Sequence, residues 1–324
     1  MFKNPLFLFL IFLIILVLPL LSITTPASTQ DSTPIINETQ QAITNHWINL
    51  NYNLDLFFSE QPYAKSENKS LIFAYYSFYK KEGQPVYYNS DIRASIHLPQ
   101  TSQRLRIVIE KESDILNQQG NVASGPGPGQ DSSARPDARD NFLKAHFIAG
   151  ISYLLPKTDF VKIFVDTGMR LNLPLDPFAK LNIQKNIETK YINIFASQRF
   201  LLYRQDGFLE VTQLSFSKRW NAMFQSEQVN TLSWTDKYDL FFLRNNLSLQ
   251  QIINERNSLF YIIGANADFT PTFFYSGYDT VINYRRLLYS DWLFMDFSIG
   301  ADYPKSDKFK MQPFTLAKMQ VFFR

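Results

Sequence analysis

The chain has 324 residues, no cysteine, and 32 Lys and Arg against 29 Asp and Glu, for a formal net charge of +3. Disulfide frameworks, thiolate metal sites and cysteine nucleophiles are thereby excluded, and the near-balance of charge supplies no strong field for nucleic acid, so no such partner is expected. A mean hydropathy of −0.18 is too low for a bundle of membrane helices, while 30 Phe, 17 Tyr and 4 Trp favour strands.

Lys3 is the only early charge, residues 6–21 are apolar apart from Pro19, and small or polar residues run from Ser22 to Thr29. This is the order of a signal peptide: positive start, apolar centre, small-residue cleavage region. Residues 1–27 are expected to be removed near Thr25-Pro26-Ala27, with the mature chain starting between Thr24 and Gln30. The competing reading is an uncleaved anchor, since the apolar run approaches the roughly 18 residues that span a bilayer. A lipoprotein would need a cysteine at the cleavage site.

Residues 28–69 form an N-terminal segment, with a polar, Pro-containing stretch to about residue 40. One helix is predicted over 38–58, where Ile43, Trp47, Leu50, Leu54, Phe57 and Phe58 recur at three- and four-residue intervals. Asn37 or Thr39 is placed to cap it. The pattern leaves three places for it: in the periplasm, inside a lumen, or against a barrel mouth.

From residue 70 onward the pattern changes to a period of two. Segments 71–79, 92–98 and 105–110 alternate or are aromatic-rich, with a polar turn containing Gly83 after the first. Residues 112–140 hold Ser124-Gly125-Pro126-Gly127-Pro128-Gly129 and Arg135-Pro136-Asp137, a density of Pro and Gly that neither pairs in a sheet nor buries a core. A long flexible loop or linker is expected there. Eleven further strands are predicted at 142–155, 160–173, 178–187, 191–203, 208–220, 224–234, 238–249, 259–269, 274–286, 292–302 and 314–323. Pro174-Leu175-Asp176-Pro177 and Gln205-Asp206-Gly207 supply turn chemistry between them.

Successive strand residues point to opposite faces. In the strand from residue 160, Val161, Ile163, Val165 and Met169 share one face, and Lys162, Phe164, Asp166, Gly168 and Arg170 the other. Near the end, Leu293, Met295, Phe297 and Ile299 oppose Phe294, Asp296, Ser298 and Gly300. With an export signal, this pattern predicts an all-β fold, an antiparallel transmembrane barrel of about 12–14 strands over 70–324, apolar outside and polar within.

The last segment puts Thr315, Ala317, Met319, Val321 and Phe323 on one face, followed by Arg324. A terminal strand closing on an aromatic resembles the C-terminal signature of outer-membrane β-barrels of Gram-negative bacteria, with Arg324 a departure from it. The resemblance spans about 70–324 and is one of architecture. It implies the cell outer membrane as location, outer-membrane lipids as surroundings and the barrel-assembly machinery as partner.

Candidate lumen-lining residues are the charges on the polar parity: Arg93, Arg106, Lys162, Asp166, Arg170, Asp279, Arg285, Asp296 and Asp302. Arg104 and Glu110 share that parity. Mixed signs at this density fit a network of ion pairs that fills the lumen, or a wetted pore wall without strong ion preference. Phe164, Phe260 and Phe294 on the same parity favour a narrow or plugged lumen. The three histidines are His46, His97 and His146. His146 and Ser152 lie six strand residues apart, about 20 Å, and Ser95 and His97 about 6 to 7 Å, so no catalytic residue is assigned. G-x-S-x-G, H-E-x-x-H and P-loop patterns are lacking, and neither metal nor cofactor is expected. The expected function is a small-solute channel or a structural barrel. A barrel enzyme acting on lipid or lipopolysaccharide, and a secreted soluble β-rich protein, are the other classes with these features.

Overall fold

A computed structural model describes residues 33–59, 70–98, 104–111, 147–155, 161–171, 174–237, 239–269, 272–289 and 292–323. The expected signal peptide, His146 and the Pro- and Gly-rich stretch at 112–140 lie outside the described residues.

After helix α1 (Thr33–Ser59) come fourteen strands: β1 (Leu71–Lys81), β2 (Val86–His97), β3 (Leu105–Lys111), β4 (Phe147–Leu154), β5 (Lys162–Arg170), β6 (Asp176–Glu188), β7 (Asn193–Tyr203), β8 (Gly207–Arg219), β9 (Phe224–Thr235), β10 (Leu240–Asn254), β11 (Asn257–Phe269), β12 (Phe273–Tyr289), β13 (Leu293–Pro304) and β14 (Gln312–Phe323). Each pairs antiparallel with its sequence neighbours, and β1 pairs with β14 from Ile72↔Phe323 to Lys81↔Phe314, so the sheet is a closed barrel without an edge. The strand count is the upper value the sequence predicts.

Several strands run past their predicted ends. Tight hairpins keep pairing in register into residues whose side chains give no periodic signal. β2 begins at Val86 because Lys80↔Val86 and Tyr79↔Tyr87 extend the first hairpin, and Gly83 takes the left-handed conformation (φ 71°) that its turn requires. α1 begins five residues before its predicted start at Glu38, so neither Asn37 nor Thr39 caps it. Pro34 falls in the first turn, where a missing N–H costs no helical hydrogen bond.

The predicted parity holds around the ring. Directly paired residues of antiparallel strands share a face, so the register carries the inner face from Asp91 on β2 through Tyr75 on β1, Gln320 on β14, Phe294 on β13 and on to β3. The opposite face is apolar and open: Ile92, Ile151, Val165, Met169, Leu202, Leu247, Ile263, Ile282, Phe297 and Ile299 are all exposed large hydrophobics. Exposed apolar side chains all round a closed sheet, with charges inside, are the inverse of a soluble barrel.

With an even number of strands, β1 starts and β14 ends at one end of the barrel, the terminal end. Lys111, which ends β3, and Phe147, which begins β4, lie at the other, the far end. On the outer wall by the far end, rings meet in sequence from Phe200 to Phe208, Trp234, Phe241, Phe269, Phe273, Tyr275, Tyr278 and Phe309, with centroids 4.7 to 6.4 Å apart. Tyr76, Phe78 and Tyr88 form a similar group outside β1 and β2. Such a belt marks the level where a bilayer's hydrocarbon gives way to headgroups.

α1 lies outside this cylinder. Trp47 is buried against Ile96 and Leu98, with Ile72, Ala94, Leu105 and Ile107 packed around them. Ile72, Ala94, Ile96, Leu105 and Ile107 belong to the outward parity of β1–β3. Of the three places the sequence leaves for the helix, none is this one: it lies on the outer wall near the terminal end.

Candidate functional site: the inner wall of the barrel

All nine sequence-predicted lumen residues lie on inward positions of the register. Four of them, Asp166, Arg170, Arg285 and Asp296, have partners on a neighbouring strand, and others reach along their own strand or two strands away. Asp166 and Lys180 face each other across β5 and β6, with Lys180 Nζ 2.7 Å from the carboxylate. Arg93 Nε lies 3.1 Å from Asp91, two residues away on β2. Lys81 Nζ lies 2.9 Å from Asp302, which also accepts a hydrogen bond from the Tyr79 hydroxyl at 3.4 Å. Arg244 reaches Asp279 at 3.5 Å across the whole of β11. Gly264 makes that crossing feasible, because a Cβ there would collide with the Asp279 carboxylate. Arg106 places its guanidinium 4.8 Å from the Phe164 ring, while Lys162 stands exposed near the terminal end.

The largest cluster joins β12, β13 and β14. Arg285 Nε lies 2.9 Å from Asp296 Oδ1, and Arg285 Nη2 donates to Gln320 Oε1 at 2.8 Å. Gln320 Nε2 donates to Asp296 Oδ2 at 2.7 Å, and Lys318 Nζ stands 3.9 Å from the same oxygen. Asp296, Gln320 and Lys318 are buried. A carboxylate in that setting is tolerated because every side of it meets a donor. Beside it, the Ser298 hydroxyl donates to Asn283 Oδ1 at 2.6 Å.

A second cluster sits at the far end. Arg170 is buried, its Nη1 2.9 Å from Asp176 and also bonded to Asp206, with its guanidinium 4.2 Å from the Tyr203 ring. Lys237 Nζ reaches Asp206 at 2.6 Å, and the Gln205 N–H donates to Asp176 Oδ1 at 3.2 Å. The cluster ties together the turns after β5, β7 and β9. Burial pushes the Asp206 carboxyl up, but hydrogen bonds and charge from Lys237 and Arg170 outweigh it and hold the group below the usual carboxylate range. A depressed folded pKa gives stability that is present above the unfolded value of about 4 and is lost as pH falls through the folded value. Acid titration of the folded barrel should therefore loosen these turns below about pH 4. Asp206→Asn should remove that part of the pH dependence, read as protease nicking at the far end; an unchanged profile would refute the coupling.

Along β12, β13, β14 and β1 the inner wall is buried over most of its height, from Phe73, Tyr75 and Phe322 to Tyr79 and Phe314. Along β5–β9 the two halves differ. Toward the far end Asp176, Phe178, Leu201, Tyr203 and Val211 are buried. Toward the terminal end Lys162, Asn186, Glu188, Asn193 and Arg219 are exposed and Glu227 half-buried, forming a polar vestibule. Two apolar clusters project from opposite walls: Ile148, Phe178, Leu201 and Tyr203 from β4–β7, and Tyr79, Ile262, Val281, Phe314 and Leu316 from β11, β12, β14 and β1.

The charged partners on strands that sequence reasoning missed are Lys81, Asp91, Asp176, Lys180, Arg244 and Lys318. All have the inward parity; what the sequence lacks is the register that says which charge meets which. Register also places His97, Arg106, Ser152, Asp166 and Lys180 in one row across β2–β6. In a hydrolase triad the imidazole stands between hydroxyl and carboxylate. Here Arg106 separates His97 from Ser152, and Asp166 lies on the far side of Ser152 and is paired to Lys180, so the row is not a triad. Among the described residues no group of His, Asp and Glu is placed to hold a metal ion. No described helix is long and apolar enough to cross a membrane.

No protein-family model matches the sequence, and no curated protein matches it. Among solved structures the chain is similar to a loop-deleted form of OmpT, an outer membrane protein of Vibrio cholerae, at 8% identity and a TM-score of 0.48, covering 79% of this chain and 98% of that one. It is also similar to the outer membrane channel DcaP of Acinetobacter baumannii, at 8% identity and a TM-score of 0.44, covering 80% and 99%. A third is CdiB from Acinetobacter baumannii, at 9% identity and a TM-score of 0.48, covering 81% and 61%. The assignment of class rests on the barrel's own two faces: a closed fourteen-stranded antiparallel cylinder, apolar and aromatic-belted outside and charged within. The chain folds as a transmembrane antiparallel β-barrel, the architecture of outer-membrane barrel proteins.

Proposed function

We propose that this protein is a narrow channel for small solutes in the outer membrane. The observation that carries the reading is the inner wall itself: a polar vestibule at the terminal end of β5–β9 leads toward a constricted far half, past charges that are neutralised in pairs. Fourteen strands enclose a lumen of intermediate width. Paired charges along the wall leave little net field in it, so neither cations nor anions are strongly preferred. Outer-membrane barrels carry short periplasmic turns and longer surface loops. The far end, where the longest stretch of sequence separates two paired strands (β3 and β4), therefore faces outside the cell and the vestibule opens to the periplasm. On this reading the chain is exported by a cleaved signal peptide, meets the barrel-assembly machinery and ends among outer-membrane lipids.

Purified protein in planar bilayers should give discrete conductance steps smaller than those of a wide porin, with cation and anion permeabilities within a few-fold of each other. Correctly inserted protein that passes no ions would make this a structural barrel. Strong selectivity for one sign would show that the wall charges are not paired in solution.

A further inference from the structure

We propose that α1 is an interfacial helix that lies along the outer wall and beds one flank in the acyl chains of the periplasmic leaflet. Its contact with the barrel is narrow. Trp47 and Asn51 are the buried residues of the described helix face. Trp47 Nε1 and both amide atoms of Asn51 have no hydrogen-bond partner; Trp47 packs on Ile96 and Leu98, and the helix also runs close to β14. At about 100° per residue, Ile43 and Leu50 lie about 40–60° to one side of Trp47. Both are exposed, at 39% and 48%. Asn45, His46 and Asn53 are exposed on the remaining surface.

The helix thus has three sides: one on the barrel, one apolar and uncovered, one polar. The apolar flank has a definite occupant because of where it sits. The wall that Trp47 packs on is the outward parity of β1–β3, the same surface that elsewhere presents Ile92, Ile151 and Val165 bare. A flank continuous with a lipid-facing wall meets lipid, and a helix with an apolar stripe and a polar back lies in the interface plane. At the terminal end of the barrel, that interface is the periplasmic one.

The absence of cysteine allows single nitroxide labels to be placed without background. Labels at Ile43→Cys, Leu50→Cys, Asn45→Cys and Asn53→Cys would be compared with Val165→Cys and Ile299→Cys on the outer wall, in protein folded into phosphatidylcholine vesicles. The expected result is collision with oxygen exceeding collision with a water-soluble nickel chelate at residues 43 and 50, as at 165 and 299, with the opposite order at 45 and 53. Nickel-accessible labels at all four helix positions, with lipid-like controls, would place the helix in water and overturn the proposal. Protection from both reagents at 43 and 50 would mean a protein partner covers the flank, and would overturn it equally. Water-like labels at 165 and 299 would instead defeat the membrane barrel.

Discussion

Leu247→Arg should cost about 2–4 kcal/mol of folding free energy in lipid vesicles, as a guanidinium forced into hydrocarbon near the midplane of a barrel wall does. Leu247 lies midway along β10, faces outward and is 50% exposed. Its neighbour Ser248 faces inward, its hydroxyl donating to the Glu227 carbonyl at 3.3 Å beside the vestibule. Ser248→Arg should therefore cost clearly less, since a longer side chain there has polar space to enter. Phe297 on β13 should behave as Leu247 does. Its neighbour Ser298 is a poorer control, because it is buried and bonded to Asn283. Val165 and Gly168 make a poorer pair still: a Cβ at Gly168 would strike the Ala149 carbonyl and the Gly150 backbone, so arginine there is costly for crowding and says nothing of lipid. Folding titrations of Leu247→Arg and Ser248→Arg decide the matter. Equal damage would mean a dry core on both sides, and the reverse order would mean inside and outside are exchanged.

Asp296→Ala should be the most damaging single change on the inner wall. It would leave the Arg285 and Lys318 cations without their carboxylate, the Arg285–Gln320 hydrogen bond alone remaining, and uncompensated buried charge costs about 3–5 kcal/mol. Asp302→Ala removes a carboxylate whose side chain is 21% exposed and whose partner Lys81 is 14% exposed. Solvent can replace that partner, so the loss should be nearer the value of about 0–1 kcal/mol seen at exposed pairs. Urea titrations of the folded barrels, read by heat-modifiable gel migration, compare the two directly. A mild effect at Asp296 matching that at Asp302 would show that water fills this part of the lumen.

The sequence by itself determined the fold class, a range of about 12–14 strands with a candidate segment for each of the fourteen, and the face on which strand side chains lie. A strand's period is two and local, so Val165 out and Asp166 in can be read without knowing any neighbour. It also placed nine charges on the inward parity, from Arg93 to Asp302, while leaving out others of the same parity such as Lys180, Arg244 and Lys318. Strand ends were less legible, since hairpin pairing carries residues such as Val86 and Tyr289 into the sheet with no pattern of their own. What only the tertiary structure decided is everything that depends on register. Asp166 meets Lys180 and Asp296 meets Arg285 because of offsets between strands, which no single strand encodes. The same holds for Gly264, whose missing side chain matters only once Asp279 and Arg244 are set on either side of it. The helix is the clearest case. Its periodicity marks Ile43, Trp47 and Leu50 as one apolar stripe, but a stripe does not name its partner. The outer wall became that partner only when β1–β3 were folded beside it.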